Sequence, residues 1–391
     1  MPQTLPAAFP YIQVNINTAG LVPTAQRLPG VIAIVGETPA GADGGTALVN
    51  RPEEVASIAH AAQLFAKVSN AGVVTPTTLY ESLRLAMLQD PKPSKVYGVR
   101  VTAGNHAEGL AALDGVDDIT FVALAGVTAI GTANPPTGLL ALKAHVETAS
   151  ADGNKRIGVA MIDPAVARST TYVADMTTAI KPLQSGNGRM LMLAARGATG
   201  DAAAATMAAV AAYQPHISMV LKQVKGFAIP AHEQYTPTEI TQLSAAGVNA
   251  IIDPALIVGE SLHLADGKLY SSDAALGFVD VVRTLDDIDF RLKAGLIGLV
   301  GDARITAGGL IRVKARIEGI LGRLRRAGVI DGFSITIPVL TLLSLPEAAW
   351  DTTDREMVRT ARETRTVEVD LQVVYGPAVH RLAVTLSPSF T

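Results

Sequence analysis

From Ile119 to Asp253 the chain alternates short, uninterrupted apolar runs with longer stretches of helical composition. "ITFVALAG" (119–126) precedes a helix expected from about Thr137, and "RIGVAMID" (156–163) precedes "PAVARSTTYVADMTTAI". "RMLMLAAR" (189–196) precedes "GDAAAATMAAVAAYQ", and "TPTEITQLSAAGVNAIID" supplies a further helix and strand. A strand that is apolar at every position is buried on both faces, and strands joined through helices run parallel. This pattern predicts an α/β fold, a mainly parallel sheet with covering helices. "GVIAIVG" (30–36) and "KVYGVRV" (95–101) read as further strands. Helices are expected over 52–68, where Pro52 and two acids suit a first turn, and over 75–89.

The last third changes character. A hairpin is expected at Ala265–Asp266–Gly267, a long helix from about Ala307 to Ala327, and strands over 333–339, 364–375 and 379–387. Near the other end, "YIQVNIN" (11–17) alternates Ile12, Val14 and Ile16 with Tyr11, Gln13, Asn15 and Asn17. The Pro- and Gly-containing link "TAGLVPTAQRLPG" that follows offers no turn back onto a partner. A strand with unpaired backbone groups needs a partner, so this one is a candidate for pairing with another molecule. In "VHRLAVTLSPSFT", Leu382, Val384 and Leu386 alternate in the same way. Two readings stand for it: a hairpin with the preceding strand through Gly376–Pro377, or strand addition between chains.

Composition excludes several chemistries. There is no cysteine among the 391 residues, so disulfides, thiolate metal sites and Cys nucleophiles are out. Charged residues make up 17% against the usual quarter, which leaves little charge to cover a monomer and points to an assembly. A net charge of -3 gives no general attraction to nucleic acid or an anionic membrane. No apolar run of about 18 residues reads as a transmembrane span, and no basic and apolar leader opens the chain.

No segment carries a recognisable catalytic or cofactor motif. The loop "GETPAGADGG" (36–45) follows a buried strand but fits neither G-x-x-x-x-G-K-[ST] nor G-x-G-x-x-G. His60, His106, His145, His216, His232, His263 and His380 include no pair at metal-ligand spacing. There is no G-x-S-x-G. Asp280, Asp286, Asp287 and Asp289 could hold a divalent cation, but Arg283, Arg291 and Lys293 lie within reach and ion pairs explain the cluster more simply.

One segment carries a surface signal. In "GGLIRVKARIEGILGRLRRAG" (308–328), Leu310, Val313, Ile317, Ile320, Leu321 and Leu324 share one helical face, and Arg312, Arg316, Arg323 and Arg326 form a stripe on another. From Ala307 to Gly328 there are six basic residues and one acid, a net of +5. A solvated face mixes both signs, so a one-signed stripe points to an acidic partner surface. Nucleic acid is disfavoured, because no aromatic residues interleave.

The succession "LPGVIAIVGETPAG" (28–41), "LVNRPEEVASI" (48–58) and "TLYESLRLAMLQDPKPSKVYGVRV" (78–101) resembles the opening of contractile tail sheath proteins. "PTGLLAL" (136–142) with "KRIGVAMIDP" (155–164) is similar to that family's next block, and the ending from "FSITIPV" onward is similar to its closing β-region and arm. The tryptophan-glycine-arginine-threonine block of the family is missing; "FVDVVRTLDDIDF" (278–290) matches its second half only, and 197–275 is assigned by position. The short spacing between "VYGVRV" and "ITFVALAG" resembles the compact sheaths of simple myophages and R-type tailocins.

The resemblance implies an arm and connector over 1–27, a sheath core from 28–101, an α/β middle region over 102–275, an inner, tube-facing domain over 276–371 and a terminal strand or arm over 372–391. The inner domain would combine N- and C-terminal segments. Ile12, Val14, Ile16, Leu382, Val384 and Leu386 would belong to inter-subunit arms, and Arg312, Arg316, Arg323 and Arg326 would face the tube. It implies a helical homo-oligomer on a tail tube, with tube, baseplate and tail-terminator partners. No cofactor, catalysis, direct nucleic-acid contact or membrane insertion is implied. Such a particle assembles in a bacterial cytoplasm and acts as part of a phage tail, tailocin or other injection system. An α/β enzyme or ligand-binding protein is the alternative; it would need convergent polar groups at the strand C-termini.

Overall fold

The computed structural model of the chain describes residues 30–259 and 261–381, so the expected strand over 11–17 and most of that over 379–387 lie outside the described residues. Two compact units make up the rest, one of 30–288 with 375–381 and one of 289–374.

The larger unit opens with β1 (Val31–Glu37), β2 (Pro52–Glu54), α1 (Ile58–Phe65), a ribbon of β3 (Lys67–Val68) and β4 (Val74–Thr75), and α2 (Thr78–Met87). It continues through β5 (Lys95–Val101), α3 (His106–Ala111), β6 (Phe121–Leu124), α4 (Gly138–Ala151) and β7 (Ile157–Met161). Then come α5 (Tyr172–Ala179), β8 (Met190–Ala194), α6 (Ala202–Ala211), β9 (Gln223–Val224), α7 (Pro237–Ala245), β10 (Val248–Ile252) and β11 (Leu262–Leu264). Nine strands form one sheet in the order β2-β5-β1-β6-β7-β8-β10-β11-β9. From β5 to β10 all neighbours are parallel; β2 at one edge, and β11 and β9 at the other, are antiparallel. The α/β expectation is met.

Strand alternation explains the two cores. Ile32, Ile34, Phe121, Ala123, Ile157, Val159, Leu191 and Leu193 face α1, α2 and α6. Val31, Ala33, Val35, Val122, Leu124, Met190 and Met192 face α3, α4, α5 and α7. All ten residues of α6 are buried, which its run of alanines permits.

Helix α8 (Val279–Leu296) leads out of this unit. The smaller unit holds α9 (Ala307–Arg326), β12 (Gly332–Thr336), α10 (Pro338–Leu343), α11 (Thr352–Thr364) and β13 (Asp370–Val374). β12 and β13 pair antiparallel, Ser334 opposite Gln372. Leu310, Ile337, Val339, Leu340, Val358 and Ala361 form its core.

Several local expectations are corrected. Pro52 starts no helix: Pro52–Glu54 pairs with β5, and α1 begins at its Ser57 cap, which accepts the His60 N–H at 3.1 Å. No hairpin forms at 265–267. Leu262–Leu264 instead returns onto β10 and β9, and Asp266 accepts from the Gly267 N–H (2.7 Å) and Ser244 Oγ (2.5 Å). The strand expected over 333–339 stops at Thr336, because Pro338 opens α10. After Pro164 helical structure waits until Tyr172, and only 370–374 of the strand expected over 364–375 is extended in a sheet.

Candidate functional site

In an open α/β sheet, ligands bind outside the strand C-termini where the strand order reverses. Here that place lies between β1 and β6, and it is filled by protein. A Cβ on Gly36 would come 2.7 Å from the Ala125 Cβ and 2.9 Å from the Leu79 Cβ. Asp201, the polar side chain there, is fully used. Its Oδ2 accepts from Ser82 Oγ (2.6 Å) and the Gly126 N–H (2.9 Å), and its Oδ1 caps α6 through the Ala204 N–H at 3.0 Å.

The Gly-rich loop has the wrong polarity for a phosphate. A phosphate cradle turns backbone N–H groups inward. This loop turns carbonyls inward onto Arg100, which donates to Gly45 and Ala47 (both 3.1 Å) through Nη1 and to Pro39 (2.5 Å) and Gly41 (2.9 Å) through Nη2.

The aspartate cluster resolves into separate structural roles. Asp286 takes a bidentate pair from Arg189 (2.6 and 2.9 Å), Asp289 pairs with Lys293 (2.8 Å) and Asp280 accepts from Tyr375 Oη (2.7 Å). Arg283 turns instead to the carbonyls of Val210, Ala211 and Tyr213 (3.2, 3.3 and 2.7 Å), at the negative end of the α6 dipole. Burial pulls its guanidinium down to about 10, against the aspartates around it. Among the described residues no group of three or more His, Asp or Glu is arranged to hold a metal ion, and no helix is long and apolar enough to cross a membrane.

Two further buried arginines escaped sequence reasoning. Arg196, just beyond β8, lies 4.7 Å from the ring centres of both Tyr172 and Tyr235 and pairs with Glu239 (2.9 Å) and Glu233 (3.0 Å). Burial pushes the Glu239 carboxyl up, but hydrogen bonds from Arg196 and Thr236 outweigh it and bring the group to about 2. Arg156, before β7, donates to the carbonyls of Leu113 (2.8 Å) and Val116 (2.7 Å) and to His145 Nε2 (2.9 Å). Burial, helped by Arg156 and opposed by Asp114, lowers His145 to about 4. The only sequence cue for these residues is a position flanking an apolar run.

The candidate surface is therefore on the smaller unit. Helix α9 begins at Thr306, whose side chain accepts the Gly309 N–H at 3.2 Å. Leu310, Ile317, Ile320, Leu321 and Leu324 are buried as its periodicity requires, and Val313 is half-buried. Of the stripe, Arg312 and Arg326 are exposed, whereas Arg316 and Arg323 are half-buried. Arg316 donates Nε–H to the Gly295 carbonyl at 3.1 Å, so it also ties α9 to the end of α8. Arg325 is exposed too, off the expected stripe. Ile12, Val14, Ile16, Leu382, Val384 and Leu386 lie outside the described residues.

No protein-family model and no curated protein matches the chain. Solved structures do. A chain of the contracted helical sheath of the anti-feeding prophage is 14% identical with a TM-score of 0.65, covering 98% of this chain and 99% of that one. A chain of the contracted PVC sheath complex, an extracellular contractile injection system, is 11% identical with a TM-score of 0.69 and 98% coverage of both. A chain of the six-fold symmetrised anti-feeding prophage baseplate is 14% identical with a TM-score of 0.65, covering 99% of this chain and all of that one. The fold is that of the sheath proteins of contractile injection systems. Among the neighbours are the anti-feeding prophage and PVC sheath chains, each matched over 98% of this chain.

Proposed function

We propose that this chain is the repeating subunit of a contractile sheath, which polymerises helically around a tube and shortens to drive it through a target cell envelope. The observation that carries the proposal is full-length correspondence with two sheath structures, 98% of the chain in each case. The filled crevice between β1 and β6 supports it, because an α/β enzyme would keep that place open. The role proposed is mechanical, without catalysis or cofactor.

In this reading the 289–374 unit belongs to the inner, tube-facing domain, and the Arg312, Arg316, Arg323 and Arg326 stripe meets an acidic tube. Salt-screened contacts of that kind suit a surface that must let go when the sheath shortens. The segments 11–17 and 382–386 act as arms that pair with neighbouring subunits. Backbone hydrogen bonds contribute about 0.5–1.5 kcal/mol each, so a few per arm hold neighbours together while weaker contacts exchange. Baseplate and terminator proteins cap the two ends of a particle built in a bacterial cytoplasm.

Negative-stain microscopy of the purified chain tests the reading. Long hollow tubes are expected; uniform small particles at every concentration and salt would overturn it.

A further inference from the structure

The stretch between α5 and β8 carries the chain's only Asn-Gly pair, Asn187–Gly188. Asn187 is exposed and lies in a turn, while Ser185 before it and Arg189 after it are buried. The fold requires the glycine for its own reasons: Gly188 has φ +66°, and a Cβ there would come 2.8 Å from the Leu276 carbonyl oxygen. Asn187 Oδ1 accepts from Ser185 Oγ at 2.6 Å. The same Ser185 Oγ lies 2.8 Å from Glu147 Oε1 and accepts the Arg189 N–H at 3.1 Å. One hydroxyl proton therefore serves two acceptors, an amide oxygen and a carboxylate.

A side-chain amide followed by glycine is an electrophile next to a main-chain nucleophile. The Gly188 nitrogen attacks Asn187 Cγ with no Cβ in its way, and the reaction is intramolecular. The new bond joins that nitrogen to Cγ. The Cγ–Nδ2 bond breaks, and Nδ2 leaves as ammonia with the proton given up by the Gly188 nitrogen. Water then opens the cyclic imide at either carbonyl, giving aspartate or isoaspartate. Ser185 donates to the oxygen on which negative charge develops during the attack. Asn70 and Asn105 are exposed as well, but Ala71 and His106 follow them. Asn249 is buried, and both ends of its amide are bonded to main chain.

We propose that Asn187 is a site of spontaneous deamidation in the folded chain, and that the change loosens the turn into β8. The aspartate product places a second carboxylate beside the single Ser185 proton that Glu147 already uses, and like charges at that range repel. The isoaspartate product adds a methylene to the main chain between Ser185 and Arg189, whose side chain holds Asp286 through two bonds. The modification needs no enzyme or oxidant, only water, and it is independent of the sheath reading.

Peptide mass spectrometry of the full chain, folded and in urea, after days in mildly alkaline buffer tests the site. In the folded chain the peptide spanning Asn187 should gain one mass unit and split into two isomers, ahead of the peptides with Asn70 and Asn105. Asn187→Gln should abolish the gain. An intact Asn187 in the folded chain, or a gain confined to the chain in urea, would overturn the proposal, and so would earlier deamidation at Asn70 or Asn105. The consequence is read from thermal melts of Asn187→Asp, which carries the product charge from the start. Its melting temperature should lie a few degrees below the parent's, and Glu147→Gln in the same chain should recover most of the difference. An Asn187→Asp chain as stable as the parent, or a loss that Glu147→Gln leaves unchanged, would overturn the loosening.

Discussion

Arg196 and Glu239 meet at 2.9 Å, the arginine 1% exposed and the carboxylate 13%, at the C-terminal end of β8. The C-terminal strand ends are the side of an open α/β sheet on which ligands bind. Here the remaining guanidinium atoms are taken by Glu233 and by the carbonyls of Glu233 and Gln234, and the Tyr235 hydroxyl accepts the Arg196 N–H at 2.8 Å. The pair fastens the 230–239 segment to the sheet.

Removing its charge should therefore act on stability. Glu239→Gln leaves Arg196 buried with one carboxylate fewer, and breaking a buried pair costs about 3 kcal/mol or more. Urea denaturation should show the midpoint falling with the slope unchanged. An unaltered midpoint would mean that Glu233 alone neutralises Arg196.

The sheet unit should lose stability in mild acid through His145. Arg156 is only a donor, so His145 Nε2 accepts from it and the imidazole is neutral in the fold. Its folded value of about 4 lies below the ordinary imidazole value of about 6.5, so the unfolded chain binds the proton more readily. Stability from this group is full above about pH 6.5, declines as pH falls towards 4 and levels off below that. His145→Gln keeps an acceptor for Arg156 but does not titrate. Thermal melts between pH 7 and about pH 4.5 should show a smaller drop for this variant than for the parent.

Charge reversal on α9 separates the exposed arginines proposed to face a tube from Arg316, which ties the helix to α8. Arg312→Glu with Arg326→Glu changes two exposed side chains and should leave the melting temperature within about a degree. Binding to an acidic tube should weaken about tenfold or more, and parent binding should fall with added salt. Arg316→Ala, by contrast, removes the bond to the Gly295 carbonyl and should cost about 1 kcal/mol of stability. Co-sedimentation with tubes and thermal melts together measure both effects.

Two truncations at the C-terminus should differ. His380 Nε2 lies 2.9 Å from Ser218 Oγ, its ring packs edge-on against Phe278 at 5.4 Å, and Tyr375 bonds Asp280. Removing 382–391 keeps these contacts, whereas removing 379–391 loses His380 and should lower the monomer's melting temperature by a few degrees, as the loss of about 1 kcal/mol does. Both truncations, and deletion of 1–18, should abolish tube formation if the ends pair between subunits. Full-length tubes from the 1–18 deletion would exclude that role.

The sheet was legible because burial on both faces forces runs such as "RMLMLAAR", and few other structures accept them. β5 falls on the expected residues, 95–101. The edges were less legible. β2 is three residues with a proline at its start, and β9 is two residues, lengths over which periodicity carries no information. On α9 the apolar face was readable from spacing, but the division of its arginines was not. Arg316 and Arg312 lie one turn apart, and only the proximity of Gly295, 21 residues earlier, makes one of them structural. The same holds for Arg100, Arg156, Arg196 and Arg283, whose partners are mostly main-chain carbonyls distant in sequence.

Arg100 gathers four carbonyl oxygens from the 39–47 loop much as a small inorganic cation would. The four oxygens are main-chain carbonyls, which neither titrate nor exchange with solute ions, so this anchor of the loop does not depend on a carboxylate as the exposed Asp43–Lys67 pair in the same loop does. A lysine could not replace it, although the charge would be kept: one ammonium points three protons from a single atom, whereas the oxygens here are spread across two nitrogens of a flat fork. The loop that looked most like a binding site is thus a closed chelate whose ion is covalently part of the chain.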